Sequence, residues 1–291
     1  MVINGIVLIN KARGVSSNSV VGKVKRITGA DKAGHFGTLD VLGEGLLPIA
    51  LGKGTKLFDF FLNKDKVYET VYKFGETTAT LDLEGEITQR NDVVVTLEDL
   101  ENVCKSFVGK MAQMPPQYSA KKVNGKRAYE LAREGKAVEL KPKEIEIYSI
   151  KVLKELSENT FQLEIWCSSG TFIRSICRDI AAKLNTYGVM QSILRTKCGI
   201  FELKDAKTIE ELEKGNIDII SLDKIFDYPQ FKFNEEDTKK LLNGMTINHK
   251  GQNKDEEINK EETILCYGNN DLFLGLGKIV DNKLKLDIRL I

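Results

Sequence analysis

The sequence predicts a mixed α+β protein whose strands pair mainly antiparallel. Strand-like segments arrive in hairpin-like pairs, not in regular βαβ alternation. No internal repeat or heptad interrupts them. The composition, 42% apolar and 29% charged over 291 residues, is that of an ordinary globular chain. That length accommodates one large domain with a small one appended.

The first element is the short apolar strand GIVLIN at 5–10, followed by a turn through KARGVSS. The serines of SNSVVGKVKRITG suit an N-cap before a helix that turns Val20, Val21, Val24 and Ile27 inward. Next comes the glycine-punctuated bend GHFGTLDVLGEG, then LLPIALG as a buried strand and GTKLFDFFLN as a helix start. KVYETVYKFG at 66–75 alternates, with Tyr68, Thr70, Tyr72 and Phe74 on one face. TLEDLENVCKSFVG reads as a helix capped by Thr96 and closed at Gly109.

Residues 111–147 differ in texture. Pro115–Pro116 stops regular structure, VNG suggests a tight turn, and KRAYELAREG reads as a short basic helix closed by Gly135. The segment is an excursion from the body, with strands resuming at EIEIYSIKVLKEL. Residues 161–185 run strand, glycine turn, then a helix opening near Thr171. SILRTKCGIFEL is a further strand and TIEELEKGNI a short capped helix. A boundary is expected near Tyr228–Pro229. Beyond it lie the helix NEEDTKKLLNG, a charged loop at 250–262 and the strands TILCYG, DLFLGLGKIV and KLKLDIRLI, a β-rich module of about 60 residues.

Composition narrows the chemistry. Five scattered cysteines without a CxxC pair argue for reduced, buried thiols in a cytoplasmic protein, and against a zinc site or a disulfide framework. With two histidines, His35 and His249, the chain also argues against a histidine-rich metal centre. The apolar start MVINGIVLIN is too short and interrupted for a signal peptide or membrane span. The net charge is only +1, yet residues 121–143 carry eight basic side chains against three acidic ones. That local excess suits a phosphate backbone, although a solvated surface helix shows the same pattern.

Asp40 lies between Leu39 and Val41 in the bend, and is either a turn former or a presented catalytic carboxylate. Gly34, Gly37, Gly43 and Gly45 permit positive φ and close approach of another chain. No P-loop or GxGxxG accompanies them, so nucleotide hydrolysis has no support. His35 beside Phe36 is compatible with a surface on which a base stacks. Arg174, near the apolar side of its helix, requires a carboxylate partner if buried, whereas Arg178 and Asp179 read as solvent-facing. Tyr68 reads by default as a core aromatic.

Four segments in this order closely resemble the bacterial tRNA pseudouridine synthase B family: GHFGTLD (34–40), KVYETVYKFGETTATLDLEGEI (66–87), MPPQYSAKKVNGKRAYELAREG (114–135) and CSSGTFIRSICRDIAAKL (167–184). The resemblance runs from about residue 4 to 205. It implies a pseudouridine synthase catalytic domain over 1–228, with an RNA-clasping insertion at about 114–143, and a small PUA-like module over 229–291. It implies conversion of uridine to pseudouridine at position 55 in the TΨC stem-loop of tRNA, in the cytoplasm, by a monomer without metal or organic cofactor. By position, Asp40 matches the catalytic aspartate, Tyr68 the tyrosine that stacks on the target base, and Arg174 the arginine paired with the carboxylate. His35 matches the histidine that fills space left by flipped nucleotides, and Leu194 a pocket-lining leucine. Lys121, Lys122, Lys126 and Arg127 fall in the insertion. The chain departs from the family at Phe36, usually Thr, at Val41, usually Pro, and at Ala12, usually the proline of a Lys-Pro pair. The proline's loss removes a constraint from the bend; no group needed by the chemistry is missing.

Overall fold

The computed structural model describes residues 3–119, 122–123, 126–127, 140–248 and 261–291, with the short pairs 122–123 and 126–127 described by backbone alone. In chain order the strands before the insertion are β1 (Gly5–Lys11), β2 (Ala33–His35), β3 (Glu44–Leu51), β4 (Lys66–Phe74), β5 (Glu76–Thr78), β6 (Ile87–Arg90) and β7 (Gly109–Gln113). Then follow β8 (Lys122–Val123), β9 (Lys126–Arg127), β10 (Lys143–Ser157), β11 (Thr160–Cys167), β12 (Gly188–Cys198) and β13 (Phe201–Glu202). One sheet runs β1-β3-β12-β4-β11-β10-β7, with β2 added to β3 and β13 to β12. Every pairing in it is antiparallel except β3 with β12.

Packing follows from the sequence pattern. The run GIVLIN is apolar on both faces because β1 is covered on both. Val7 and Ile9 meet the helix Ser17–Thr28, whereas Ile6 and Leu8 meet Leu57, Phe61 and Phe201. β4 alternates as expected: Tyr68, Thr70, Tyr72 and Phe74 are buried and the residues between them half-buried. The buried face packs against the helices Leu97–Lys105 and Ile173–Lys183 in the largest core cluster.

Two sequence expectations are corrected in this region. The helix after Thr96 stops at Lys105, and Gly109 (φ +115°) opens β7, which pairs with β10. The glycine therefore starts a strand and does not close the helix. KRAYELAREG does not begin as a helix, since Lys126 and Arg127 form a two-stranded ladder with Lys122 and Val123 around the expected VNG turn. Its remaining residues, 128–135, lie outside the described residues, as does Lys121. The capped helix at Ile209–Glu213 does form, with a reciprocal box between Thr208 and Glu211.

The C-terminal strands β14 (Gln230–Lys232), β15 (Ile247–Asn248), β16 (Glu261–Tyr267), β17 (Phe273–Val280) and β18 (Lys283–Arg289) make a second sheet, ordered β14-β16-β17-β18-β15. Leu265, Tyr267, Leu276 and Leu290 from this part of the chain share a core with Ile6, Leu8 and Phe61. Among the described residues no helix is long and apolar enough to cross a membrane.

Candidate active site

The bend that carries Asp40 is fixed from several sides. The buried Ser17 hydroxyl donates to Leu39 O (2.8 Å) and accepts from Leu39 N–H (2.9 Å). Gly14 N–H donates to Val41 O at 2.8 Å, and Lys11 Nζ reaches the same carbonyl at 3.4 Å. Arg195 donates to Gly37 O (3.1 Å) and to Leu46 O (2.7 Å), bracketing the bend at its entry and exit. Residues 40–43 close a turn through Gly43 N–H to Asp40 O (2.9 Å). Both sequence readings of Asp40 thus hold at once: its backbone forms a turn, and its carboxylate projects elsewhere. The bend, lacking proline at 41, is held through its carbonyls.

Of the four glycines, Gly37 (φ +126°) and Gly45 (φ +95°) adopt positive φ; Gly34 and Gly43 do not. At Gly45 an added Cβ would lie 2.5 Å from Arg195 O, where β3 crosses closely over β12. Gly45→Ala is therefore expected to cost on the order of 2–4 kcal/mol in urea unfolding, from backbone strain plus steric overlap. A change below about 0.5 kcal/mol would mean that the bend absorbs the methyl without strain.

The expectation for Phe36 is corrected. Its ring is buried and stacks on Phe61 at a centroid distance of 4.7 Å, within the core beneath the bend. No face of it is offered to a base, so the departure from Thr alters packing alone.

Arg174 is the hub. Tyr72 Oη donates to Ile173 O (2.8 Å), and Gln113 bonds both the N–H and the carbonyl of Phe172, so the helix start is pinned to β4 and β7. From there the guanidinium divides its donors. Nη1 meets Asp82 Oδ2 (3.1 Å) and Thr80 O (2.9 Å); Nη2 meets Asp40 Oδ2 (2.9 Å) and Tyr118 O (3.0 Å). The required carboxylate partner is thus present twice. Asp82 is sequestered at 3% side-chain exposure, whereas Asp40 remains open at 45%. Thr80 Oγ1 (2.6 Å) and Glu84 N–H (3.0 Å) donate to Asp82 Oδ1, locking the inner carboxylate. Arg174 is thereby oriented from behind, and its outward donors face the exposed aspartate.

Asp82 is a site residue that the sequence does not mark, although TLDLEGEI is among the resembling segments. Its signal is an acid within a Thr-rich turn, and Leu81 at φ +63° shows that the turn is tight. Sequence alone shows the acid; only the fold brings it to Arg174.

Tyr68 is buried in one cluster with Ile165, Ile193 and the chain neighbours of this pair, Leu39 and Ile173. Burial pushes its phenol pKa up to about 12, against the opposing charge of Arg195. His35 Nδ1 accepts from Gly37 N–H (3.3 Å), and burial, then the Arg195 charge, lower the imidazole's pKa, which favours the neutral ring. Lys11 is lowered to about 8 mainly by burial.

Leu194 pairs with Glu69 across β4 and with Glu44 on β3, and its Cδ1 lies 2.8 Å from where a Cβ on Gly45 would stand, at the exit of the Asp40 bend. Ile193 pairs with Thr70 and Arg195 with Tyr68, so strand alternation puts Ile193 on the Tyr68 face, in the same buried cluster. Arg178 and Asp179 are less exposed than expected. They pair at 2.7 Å, and Arg178 donates to Met114 O at 3.0 Å. Among the described residues, no three His, Cys, Asp or Glu side chains converge as a metal site.

Comparison with known proteins adds a second line. Residues 25–173 match the TruB family pseudouridylate synthase N-terminal domain. The tRNA pseudouridine synthase B of Clostridium perfringens strain 13 is 40% identical over 292 residues, covering 99% of each chain. That of Caldanaerobacter subterraneus subsp. tengcongensis is 35% identical over 98% of each. Among solved structures, one of an archaeal box H/ACA sRNP Nop10–Cbf5 complex covers 99% of this chain and 86% of the matched one, with TM-score 0.70 and 20% identity. An H/ACA RNP bound to a substrate RNA containing 2'-deoxyuridine gives TM-score 0.70 at 19% identity, over 99% of this chain and 85% of the other. At that identity these two structures report the shared fold.

Proposed function

Because the chain belongs to the TruB family of pseudouridylate synthases, we propose that it isomerises uridine 55 in the TΨC loop of tRNA. The observation that carries the reading is the exposed Asp40 carboxylate held on Arg174, itself fixed by buried Asp82, with Tyr68 in the cluster that contains their neighbours Leu39 and Ile173.

The reaction breaks C1′–N1, rotates the uracil and joins C1′ to C5. The C5 proton is lost and N1 gains one, so atoms balance without a co-reactant. A stacked uracil must first be flipped out, which costs roughly a few kcal/mol, offset by stacking on the Tyr68 ring and by backbone contacts. Asp40, oriented by the guanidinium beside it, attacks C1′ or C6, or takes a proton on a glycal route. Leu39, Ile165 and Ile193 exclude water and retain the detached base. His35, at the mouth of the bend, fills the place of displaced loop nucleotides. The enzyme is assigned as a cytoplasmic monomer, as the family resemblance implies; a tRNA substrate supports the compartment.

Incubation with unmodified tRNA transcript, followed by mapping of pseudouridine, tests the assignment. Pseudouridine at position 55 supports it. Accelerated RNA folding without product would instead make the protein a non-catalytic RNA-binding scaffold.

The segment 114–143 is assigned to clasping the RNA, with Lys121, Lys122, Lys126 and Arg127 at phosphates; the support is its local charge excess. Replacing these four by Gln should flatten the salt dependence of tRNA binding by roughly 0.7–0.9 in log–log slope for each phosphate no longer neutralised. An unchanged slope removes them from the interface. Residues 229–291 are assigned as a PUA-like RNA-binding module packed on the catalytic domain over 1–228, on the support of their own five-stranded sheet. Crosslinks from bound tRNA into 229–291 would support that role, and their absence would remove it.

A further inference from the structure

Arg195 is the largest fully buried side chain among the described residues, and no carboxylate there lies within salt-bridge reach of it. Burying a cation without a counter-charge is costly, and the cost persists only where fixed acceptors or function compensate it. The acceptors are specific: Gly37 O before Asp40 and Leu46 O after it. Across the sheet, Arg195 stands in register with Tyr68 on β4 and with Gly45 on β3. Cross-strand partners share a face, so Arg195 stands beside Tyr68 on one side of the sheet while its guanidinium bonds the bend at Gly37 O and Leu46 O.

Its chemistry adds direction. Arg195 bears on the Tyr68 phenol by charge and by hydrogen bonding, both against the upward push of burial. A guanidinium only donates, so towards Arg195 the phenol oxygen can act only as acceptor. Deleting Arg195 would free the phenol to rotate its hydrogen and would loosen both ends of the Asp40 bend.

We propose that Arg195 is a positioning residue that acts through the Tyr68 phenol oxygen, tying the base-stacking ring to the bend that presents Asp40. The proposal rests on the pseudouridine synthase reading given above. A residue that only holds the bend would act equally whether or not residue 68 has a hydroxyl. One acting through the phenol would not.

The test is a double-mutant cycle on single-turnover pseudouridine formation with saturating tRNA, using Arg195→Lys, Tyr68→Phe and the pair. Arg195→Lys keeps the charge and loses the fork. It is expected to slow the wild-type reaction roughly tenfold to a hundredfold, since small misplacements near reacting groups have effects of that order. In the Tyr68→Phe background the same change should cost at least about fivefold less than in the wild type, the remainder being the share that acts through the bend, with tRNA affinity unchanged in both. Equal fold losses in the two backgrounds, or a loss confined to tRNA affinity, overturn the proposal. If neither Arg195→Lys nor Arg195→Gln yields folded protein, Arg195 is a structural residue and the proposal falls. A wild-type protein that forms no pseudouridine fails the functional reading itself, which separates the two failures.

Discussion

Asp40→Asn abolishes pseudouridine formation while tRNA remains bound: a loss of at least about a thousandfold in single-turnover rate is expected, the scale on which removing a nucleophile acts. The substitution is nearly isosteric, and the amide oxygen still accepts from Arg174 Nη2, which stands 2.9 Å from Asp40 Oδ2. Asp40 is 45% exposed, so the lost ion pair contributes no more than about 1 kcal/mol to folding. The bend also survives, because Ser17, Gly14 and Arg195 hold its backbone without using the Asp40 side chain. Rate and stability therefore separate cleanly. Tritium release from C5-labelled uridine in tRNA reads the first, urea unfolding the second. A variant that retains more than a tenth of wild-type release would sink the assignment of Asp40 as the reacting carboxylate.

The sequence made the strand and helix pattern legible wherever one rule dominated. The alternation of β4, the Thr96 cap and the Thr208–Glu211 box appear as the local pattern dictates, whereas the first helix is capped by Ser16, one residue ahead of the serines expected to cap it. It failed where a residue had two uses. Gly109 reads as a helix stop, yet its φ also suits the start of an edge strand, and only pairing with β10 decides between them. Phe36 reads as a stacking platform, but which side of the bend is inward depends on Phe61, far along the chain. Of the expected site, the pairing of Asp40 with Arg174 is present, and Tyr68 is buried among their neighbours. The part that Ile193 plays beside Tyr68 could not be read, because strand parity cannot be counted across β12 and β4 without the register, and one residue's slip exchanges the faces. Asp82 and Arg195 stayed hidden for a common reason. Each is buried and charged, and its meaning depends on a partner many residues distant in the chain.

That long-range pairing makes Arg174→Met the second large effect, and it strikes twice. The methionine leaves Asp82 buried, facing a gap where Nη1 lay 3.1 Å from its Oδ2. Breaking one side of a buried pair is expected to cost about 3–5 kcal/mol in urea unfolding. Catalysis should fall at least about a thousandfold as well, because Asp40 loses the donor that orients it. The two losses are separable by adding Asp82→Leu. Removing both buried charges should restore most of the stability, since an apolar pair of similar volume replaces a desolvated ion pair at little or no cost. Activity should stay lost, because nothing then faces Asp40. Arg174→Lys supplies an intermediate case: the ammonium keeps the charge, but it cannot serve Asp82 and Thr80 on one side and Asp40 and Tyr118 on the other. If the Arg174→Met, Asp82→Leu protein regains activity together with stability, the arginine serves folding alone, and Asp40 works without it.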